Sequence, residues 1–198
     1  MEENQRTTLT EETYTDEEFE AIDLSGADLS SREFTDCRFA DCTFNDARLV
    51  ETTLVECTFE RCGFANARLD LCSFREVEFR ECKFVGLDFS TVNTMLLEWS
   101  FVDCRFEFCN FSDGDFRSTR FSDCVVRECD FSNANLAGSD FAGSDLTRTT
   151  FQATDLSGVD FTGARNYGID PTANYLKGGR FSWPEALALL EAFGVEVS

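Results

Sequence analysis

Reading every fifth residue from Phe101 returns Phe101, Phe106, Phe111, Phe116, Phe121, Val126, Phe131, Leu136, Phe141, Leu146, Phe151, Leu156 and Phe161. Each is a large apolar residue, and small or polar residues fill the intervals. A period of five is neither the 3.6 of an amphipathic helix nor the 2 of a half-buried strand. A chain built this way cannot bury its apolar side within one unit, so copies must stack. The spacing predicts a solenoid in which each five-residue unit makes one short side of a coil.

The same beat runs upstream through Phe19, Leu24, Leu29, Phe34, Phe39, Phe44, Leu49, Leu54, Phe59, Phe64, Leu69, Phe74, Phe79, Phe84 and Phe89, and Tyr14 is already in register. The step from Phe89 to Phe101 is twelve residues, two more than two repeats, and Thr94 falls where a core residue belongs. A loop or bulged corner is expected over 91–100. Interruptions of a solenoid map to protruding loops, often on a binding face. Met95, Leu96, Leu97 and Trp99 in this stretch are candidate anchors for a partner, since Met and aromatic side chains are enriched in interface cores. They could equally fold back over the coil. Leu71 and Phe108 fall at outward positions and carry the same two readings.

All ten cysteines lie two residues before a repeat centre, as Cys37 does before Phe39 and Cys129 before Phe131. Ala27, Ala47, Ala67, Ala134, Ser139, Ser144, Thr149 and Thr154 hold equivalent slots, so the slot takes a small, readily buried residue. This argues for packing rather than metal, which needs a convergent tetrahedral set; no cofactor or metal is expected. Buried free thiols imply a reducing compartment, hence a cytoplasmic protein.

The formal net charge is −21, with no histidine. Such a balance repels nucleic acid and anionic membranes and favours basic partners, although self-repulsion for solubility is a sufficient alternative. No run approaches the ~20 apolar residues of a membrane span. The opening MEENQRTTLTEE is acidic and polar, unlike a signal peptide. An enzyme is not expected: there is no histidine for acid–base work, no phosphate loop and no nucleophile elbow.

Three regions are expected: an acidic tip at 1–13, the repeat solenoid at 14–163 and a C-terminal cap at 164–198. The pattern stops after Gly163. Ser182, Pro184 and Glu185 form a capping-box signature for a helix at about 183–193. Trp183, Leu187, Leu190 and Phe193 are then candidates to cover the open end or to build a symmetric dimer. Val195 to Val197 are a candidate short strand.

The units Ala27-Asp28-Leu29-Ser30-Ser31 and Ala134-Asn135-Leu136-Ala137-Gly138 resemble the pentapeptide-repeat family, over roughly Tyr14 to Gly163. That resemblance implies a right-handed quadrilateral parallel β-helix, an all-β solenoid in which four repeats close each coil. The tail, with Asn166-Tyr167-Gly168-Ile169-Asp170-Pro171, Asn174, Lys177 and Phe181-Ser182-Trp183-Pro184-Glu185-Ala186, is similar to the Qnr-like and McbG-like branch. The branch implies an acidic rod that mimics duplex DNA, binds DNA gyrase or topoisomerase IV, protects it from quinolones or peptide toxins, and dimerises through its C-terminal ends. The alternative is a non-catalytic structural or adaptor rod for another protein.

Stacking residues 20 apart at the sheet spacing of about 4.8 Å aligns Cys42, Cys62 and Cys82 in one inner column and Cys104 with Cys124 in another. Outside, it aligns Asp36, Glu56 and Glu76, then Asp103 with Asp123, and Asp140 with Asp160. These acidic columns are the candidate partner-binding surface, because stacked like charges cost stability and so invite a functional reading.

Overall fold

A computed structural model describes residues 9–195. The chain winds as parallel stacked coils, about eight turns of a right-handed quadrilateral β-helix with one short terminal helix. Each coil has four faces, designated A to D in chain order. Their central residues begin with Tyr14, Phe19, Leu24 and Leu29.

Each face is a ladder of short parallel strands or single bridges. On face A, Tyr14 pairs with Phe34, Phe34 with Leu54 and Leu54 with Phe74. Face B is the most continuous, running Phe19, Phe39, Phe59, Phe79, Phe101, Phe121 in register. Central side chains turn inward and stack on the copy one coil away. Phe39 and Phe59 lie parallel with ring centroids 4.7 Å apart. Rings on adjacent faces meet edge to face, as Phe39 and Phe44 do at 5.6 Å and 70°. Offset-stacked and edge-on pairs are the favoured aromatic geometries, and the period supplies both at once.

The corner residue of most repeats, two after the centre, is in the left-handed region, with Asp36 at φ +53° and Glu76 at +55°. A coil that turns at every fifth residue needs this backbone, which Gly, Asn and Asp enter most readily. Leu71 and Phe108 also stand at such corners, at φ +57° and +58°, with their side chains in solvent.

The interruption is shorter than 91–100. Asn93 still bridges Ser73, in phase with the coil below, whereas Trp99 pairs with Val77 and is out of that phase. The two additional residues are absorbed between Asn93 and Trp99. Val92 is buried, Thr94, Met95, Leu96 and Glu98 are exposed, and Leu97 is half-buried. Trp99 is not a loop anchor but a core residue, 6% exposed. It occupies the slot two before Phe101, which elsewhere on face B takes Cys37, Cys57, Thr119 or Ser139. Its indole packs on Phe74 at 5.0 Å and near Phe116 at 6.0 Å, filling the place vacated when Thr94 swings out. Its Nε1 donates to Thr119 Oγ1 at 3.0 Å.

Pairings that span the interruption further along carry the same offset, as with Phe84 and Phe106 or Asp88 and Asn110. The two expected cysteine columns are therefore one: Cys42, Cys62, Cys82, Cys104 and Cys124 stack on face C, and Ser144 follows. All ten cysteines are free and buried.

The coil also runs on past Gly163. Asp160–Phe161 pairs with Arg180–Phe181, and Ala164, Tyr167 and Ile169 are buried. Asn174 takes the inward slot above Thr154, accepting from its backbone N–H at 2.9 Å and donating to the Phe151 carbonyl at 3.0 Å. A side chain outside the small-residue pattern thus carries the ladder one turn further. The expected helix at 183–193 shrinks to a 3-10 turn at Glu185–Leu187 and one α turn at Ala188–Glu191. No side chain caps it: Ser182 Oγ instead accepts from the Gly163 N–H at 2.9 Å. Phe181, Ala188 and Leu189 pack on the core. Leu187 is half-buried, while Trp183, Leu190 and Phe193 remain exposed. Gly194 ends the turn at φ +67°. Of the candidate strand at Val195 to Val197, residues 196 and 197 lie outside the described residues.

Candidate functional site

The corner between faces A and B carries Asp16, Asp36, Glu56, Glu76 and Glu98 on successive coils, all exposed. Backbone bonds hold them in line. The Asp36 N–H donates to the Val55 carbonyl at 3.0 Å and the Glu56 N–H to the Arg75 carbonyl at 2.9 Å, while the Glu98 carbonyl accepts from the Val77 N–H at 3.0 Å. The ion pairs among the described residues fall elsewhere. On face B, Arg38 reaches Glu60 and Arg80 reaches Glu78, which leaves the corner carboxylates uncompensated. Neighbouring like charges about 5 Å apart repel by roughly 1 kcal/mol even in water. Ser118, Gly138, Gly158 and Gly178 complete the same corner without charge.

The opposite corner of face B, shared with face C, carries Asp41, Arg61, Glu81, Asp103 and Asp123. Arg61 holds Asp41 through two 2.8 Å hydrogen bonds. Glu81, Asp103 and Asp123 then make a second run of exposed acids, without an ion pair among the described residues. The carboxylate of Asp123 leans over Gly143, where an added Cβ would meet Oδ1 at 2.2 Å.

The third expected pair differs. Asp140 and Asp160 do align on face B, but basic residues bracket them. Arg120 approaches Asp140 at 3.8 Å and Arg180 approaches Asp160 at 3.1 Å. Asp140 also accepts from Ser122 Oγ at 2.8 Å. The hydroxyl and backbone of Thr162, then Arg180, hold the Asp160 carboxyl below the ordinary range. This pair is locally neutralised and is a weaker element of the site.

The sequence periodicity placed Asp36, Glu56 and Glu76 together, and Asp103 with Asp123, as the structure does. It missed Asp16 and Glu98 at the ends of the first run and Glu81 at the start of the second. Carrying the offset at the interruption into the column count would have found Glu98 and Glu81.

The exposed corner carboxylates set up a negative field along face B. The Cys57 thiol is pushed up to about 11 by burial, and each thiol of the face C ladder donates to a carbonyl one coil below. Such thiols are poor nucleophiles. Among the described residues, no three His, Cys, Asp or Glu side chains converge as a metal site. No helix among them is long and apolar enough to cross a membrane. The exposed carboxylates form two staggered lines on the edges of face B, one charge per coil of about 4.8 Å, which overlap at Glu76 with Glu81 and at Glu98 with Asp103.

A four-sided coil of five-residue units, turned at each corner by a left-handed residue, defines a class of repeat protein. The chain belongs to the pentapeptide-repeat family: the family model described as a pentapeptide repeat region matches residues 12–89 and 72–161. Among solved structures it is similar to two trypsin-treated forms of QnrB1, described as a plasmid-mediated fluoroquinolone resistance protein. One is 23% identical, with a TM-score of 0.65 over 94% of this chain and 90% of that one. The other is 25% identical, with a TM-score of 0.62 over 98% and 95%. Full-length QnrB1 aligns at 17% identity and a TM-score of 0.52, over 92% of this chain and 100% of that chain. No curated protein matches the chain.

Proposed function

We propose that this protein is an acidic rod that binds a type II topoisomerase, DNA gyrase foremost, in place of duplex DNA, and protects or modulates the enzyme. The observation that carries the reading is the uncompensated run Asp16, Asp36, Glu56, Glu76 and Glu98; across face B, Glu81 and Asp103 stand opposite its last two members and Asp123 carries the second edge one coil further. A duplex presents a phosphate about every 3.4 Å along each of two strands. Two charged edges on a stiff rod approximate that pattern well enough for a basic channel shaped for DNA. The likeness to QnrB1 supports a partner connected with fluoroquinolone action.

The exposed Trp183, Leu190 and Phe193 at the C-terminal end support a homodimer joined there, which would leave both acidic arms free. The loop side chains Met95 and Leu96 add an apolar contact. The exposed Leu71 and Phe108 favour the second reading, an adaptor rod for a different protein.

A gyrase supercoiling and cleavage assay, with and without a fluoroquinolone, tests the proposal. Added protein should shift supercoiling or drug-stabilised cleavage, and replacing Asp36, Glu56 and Glu76 by their amides should weaken the shift. No shift, together with no gyrase captured by the rod, would leave the adaptor reading in possession.

A further inference from the structure

The ten thiols are divided unequally among the four inward columns. Five stack on face C, and Cys72 stands alone before face A. The other two columns each hold an isolated pair: Cys37 with Cys57 before face B, and Cys109 with Cys129 before face D. Leu87 below and Thr149 above close off the last pair, so each of its sulfurs has a single thiol neighbour in the column.

The two pairs differ in where their thiols point. Cys57 Sγ donates to the Phe34 carbonyl one coil below at 3.4 Å and to the Val55 carbonyl at 3.3 Å, the arrangement repeated along face C. Cys129 Sγ, among the described residues, reaches only the Arg127 carbonyl, at 3.3 Å. Its bond to the coil below is missing. Cys109 Sγ lies 3.7 Å from the Phe84 carbonyl and 3.5 Å from that of Glu107, a looser hold than the face C thiols have. The Cys129 thiol turns instead to the Cys109 sulfur. That hydrogen bond holds the Cys109 thiol below its ordinary value, and the same bond, with burial, pushes Cys129 up. A thiol shifted down is the one that ionises and attacks.

The backbone brings the pair within bonding range. The Asp130 N–H donates to the Cys109 carbonyl at 3.0 Å, and Asn110 bridges Asp130. Coils about 4.8 Å apart put the two Cα atoms inside the roughly 4.4–6.8 Å that a disulfide spans. Parallel side chains keep the Cβ atoms at nearly that same spacing, a little beyond the usual range of about 3.5–4.5 Å. A bond formed there is strained, and strained disulfides are the easily reduced ones.

We propose that Cys109 and Cys129 are a peroxide-oxidised pair, closing into a disulfide that staples two successive coils and reopening under a thiol reductant. The Cys109 thiolate attacks one oxygen of hydrogen peroxide, the O–O bond breaks, and the second oxygen leaves as water after taking a proton. Cys109 is then a sulfenic acid. The Cys129 sulfur attacks the Cys109 sulfur, and the hydroxyl leaves as water with the Cys129 proton. Two thiols and one peroxide thus give one disulfide and two waters.

The test treats the folded, reduced full-length protein with hydrogen peroxide, unfolds it in an alkylating agent and maps the peptides by mass spectrometry. Two of the ten thiols should escape alkylation and appear as a linked Cys109–Cys129 peptide. The thermal midpoint should rise, because the link constrains the unfolded chain, and dithiothreitol should reverse the shift. Cys129→Ser keeps a donor in the slot, as Thr149 does one coil above, so the coil should still form. It should lose the link and the shift, and dimedone should trap its Cys109 as the sulfenic acid. Cys37→Ser should leave the link intact. Alkylation of all ten thiols after peroxide overturns the proposal. So does a Cys37–Cys57 link formed to the same extent, or oxidation of Cys109 without a link in the wild type.

Discussion

The lower coils and the upper coils solve the same packing problem with different atoms. Below the interruption, the inward slot two before each centre is most often cysteine. Cys42 Sγ donates to the Phe19 carbonyl and Cys57 Sγ to the Phe34 carbonyl, both at 3.4 Å. Above Cys129 the slot is more often serine or threonine, and the partner is the equivalent carbonyl: Ser139 Oγ to Phe116 at 3.0 Å, Thr149 Oγ1 to Val126 at 2.8 Å and Thr154 Oγ1 to Phe131 at 2.9 Å. The slot therefore favours a short donor as well as small size. The outer corners differ in parallel. Carboxylates line the A–B corner of the lower coils, and Ser118 and then glycines line it above, so this corner changes from charged to bare.

The comparison can be broken at several points. Phe101→Ala, at the junction of the halves, removes a fully buried ring stacked on Phe79 and Phe121. It should cost about 3–5 kcal/mol, read as a fall in the denaturation midpoint. Asp145 in the upper half should matter next. Its carboxylate is 6% exposed and pairs with Arg127 at 3.1 Å and Arg165 at 3.7 Å. Burial acts to raise its pKa, but hydrogen bonds from Thr147, Asn166 and Arg127 outweigh burial and hold it well below the ordinary range. A carboxylate whose pKa falls on folding contributes its full stability above the unfolded value, about 4, and loses it as the pH drops through and below that value. Asp145→Asn should accordingly cost roughly 1–3 kcal/mol at pH 7, and the deficit should shrink in unfolding curves taken below about pH 4.

A sharper comparison concerns the donor slot itself. If the slot demands only small size, Cys62→Ala and Cys62→Ser should behave alike. If it demands a donor, serine should outperform alanine by about 1 kcal/mol, the net value of a typical hydrogen bond. The same difference should appear between Thr154→Ser and Thr154→Ala in chemical denaturation. The smallest effect is expected at the strained corners. Leu71→Gly and Phe108→Gly should each stabilise the coil by about 0.5–1 kcal/mol, as small upward shifts in thermal midpoint.

The stacked coil was legible in the sequence because a large apolar side chain at every fifth residue cannot be buried within one unit. The resemblance to the pentapeptide repeat then implied inward positions for Phe39 and Cys42 and an outward one for Glu56. Three things were not legible, each because a side chain did something its slot does not usually allow. Trp99 violates the small-residue slot in order to fill the space left by Thr94, and only the three-dimensional neighbourhood of Phe74 and Phe116 shows that such a space exists. Asn174 and Tyr167 extend the ladder beyond Gly163 with residues foreign to the motif. The signature at Ser182 and Glu185 predicted a cap, but Ser182 Oγ is drawn instead to the free N–H of Gly163 on the coil below. The columns Asp36, Glu56, Glu76 and Asp103, Asp123 followed from the period, and Asp140 aligns with Asp160 as the period places them; the arginines that pair with this last column lie on adjacent coils, which the column count alone does not show.

The cysteine ladder makes the chemical integrity of the molecule depend on its winding. While the coils are closed, every sulfur along face C is held against a carbonyl and kept from reagents. Once several coils open together, the same column becomes a set of free nucleophiles strung at regular intervals, each able to bridge a wrong neighbour when an oxidant is present. Rewinding would then stall on crosslinks that the native coil never forms, so unfolding should be reversible under reductant and progressively irreversible in air.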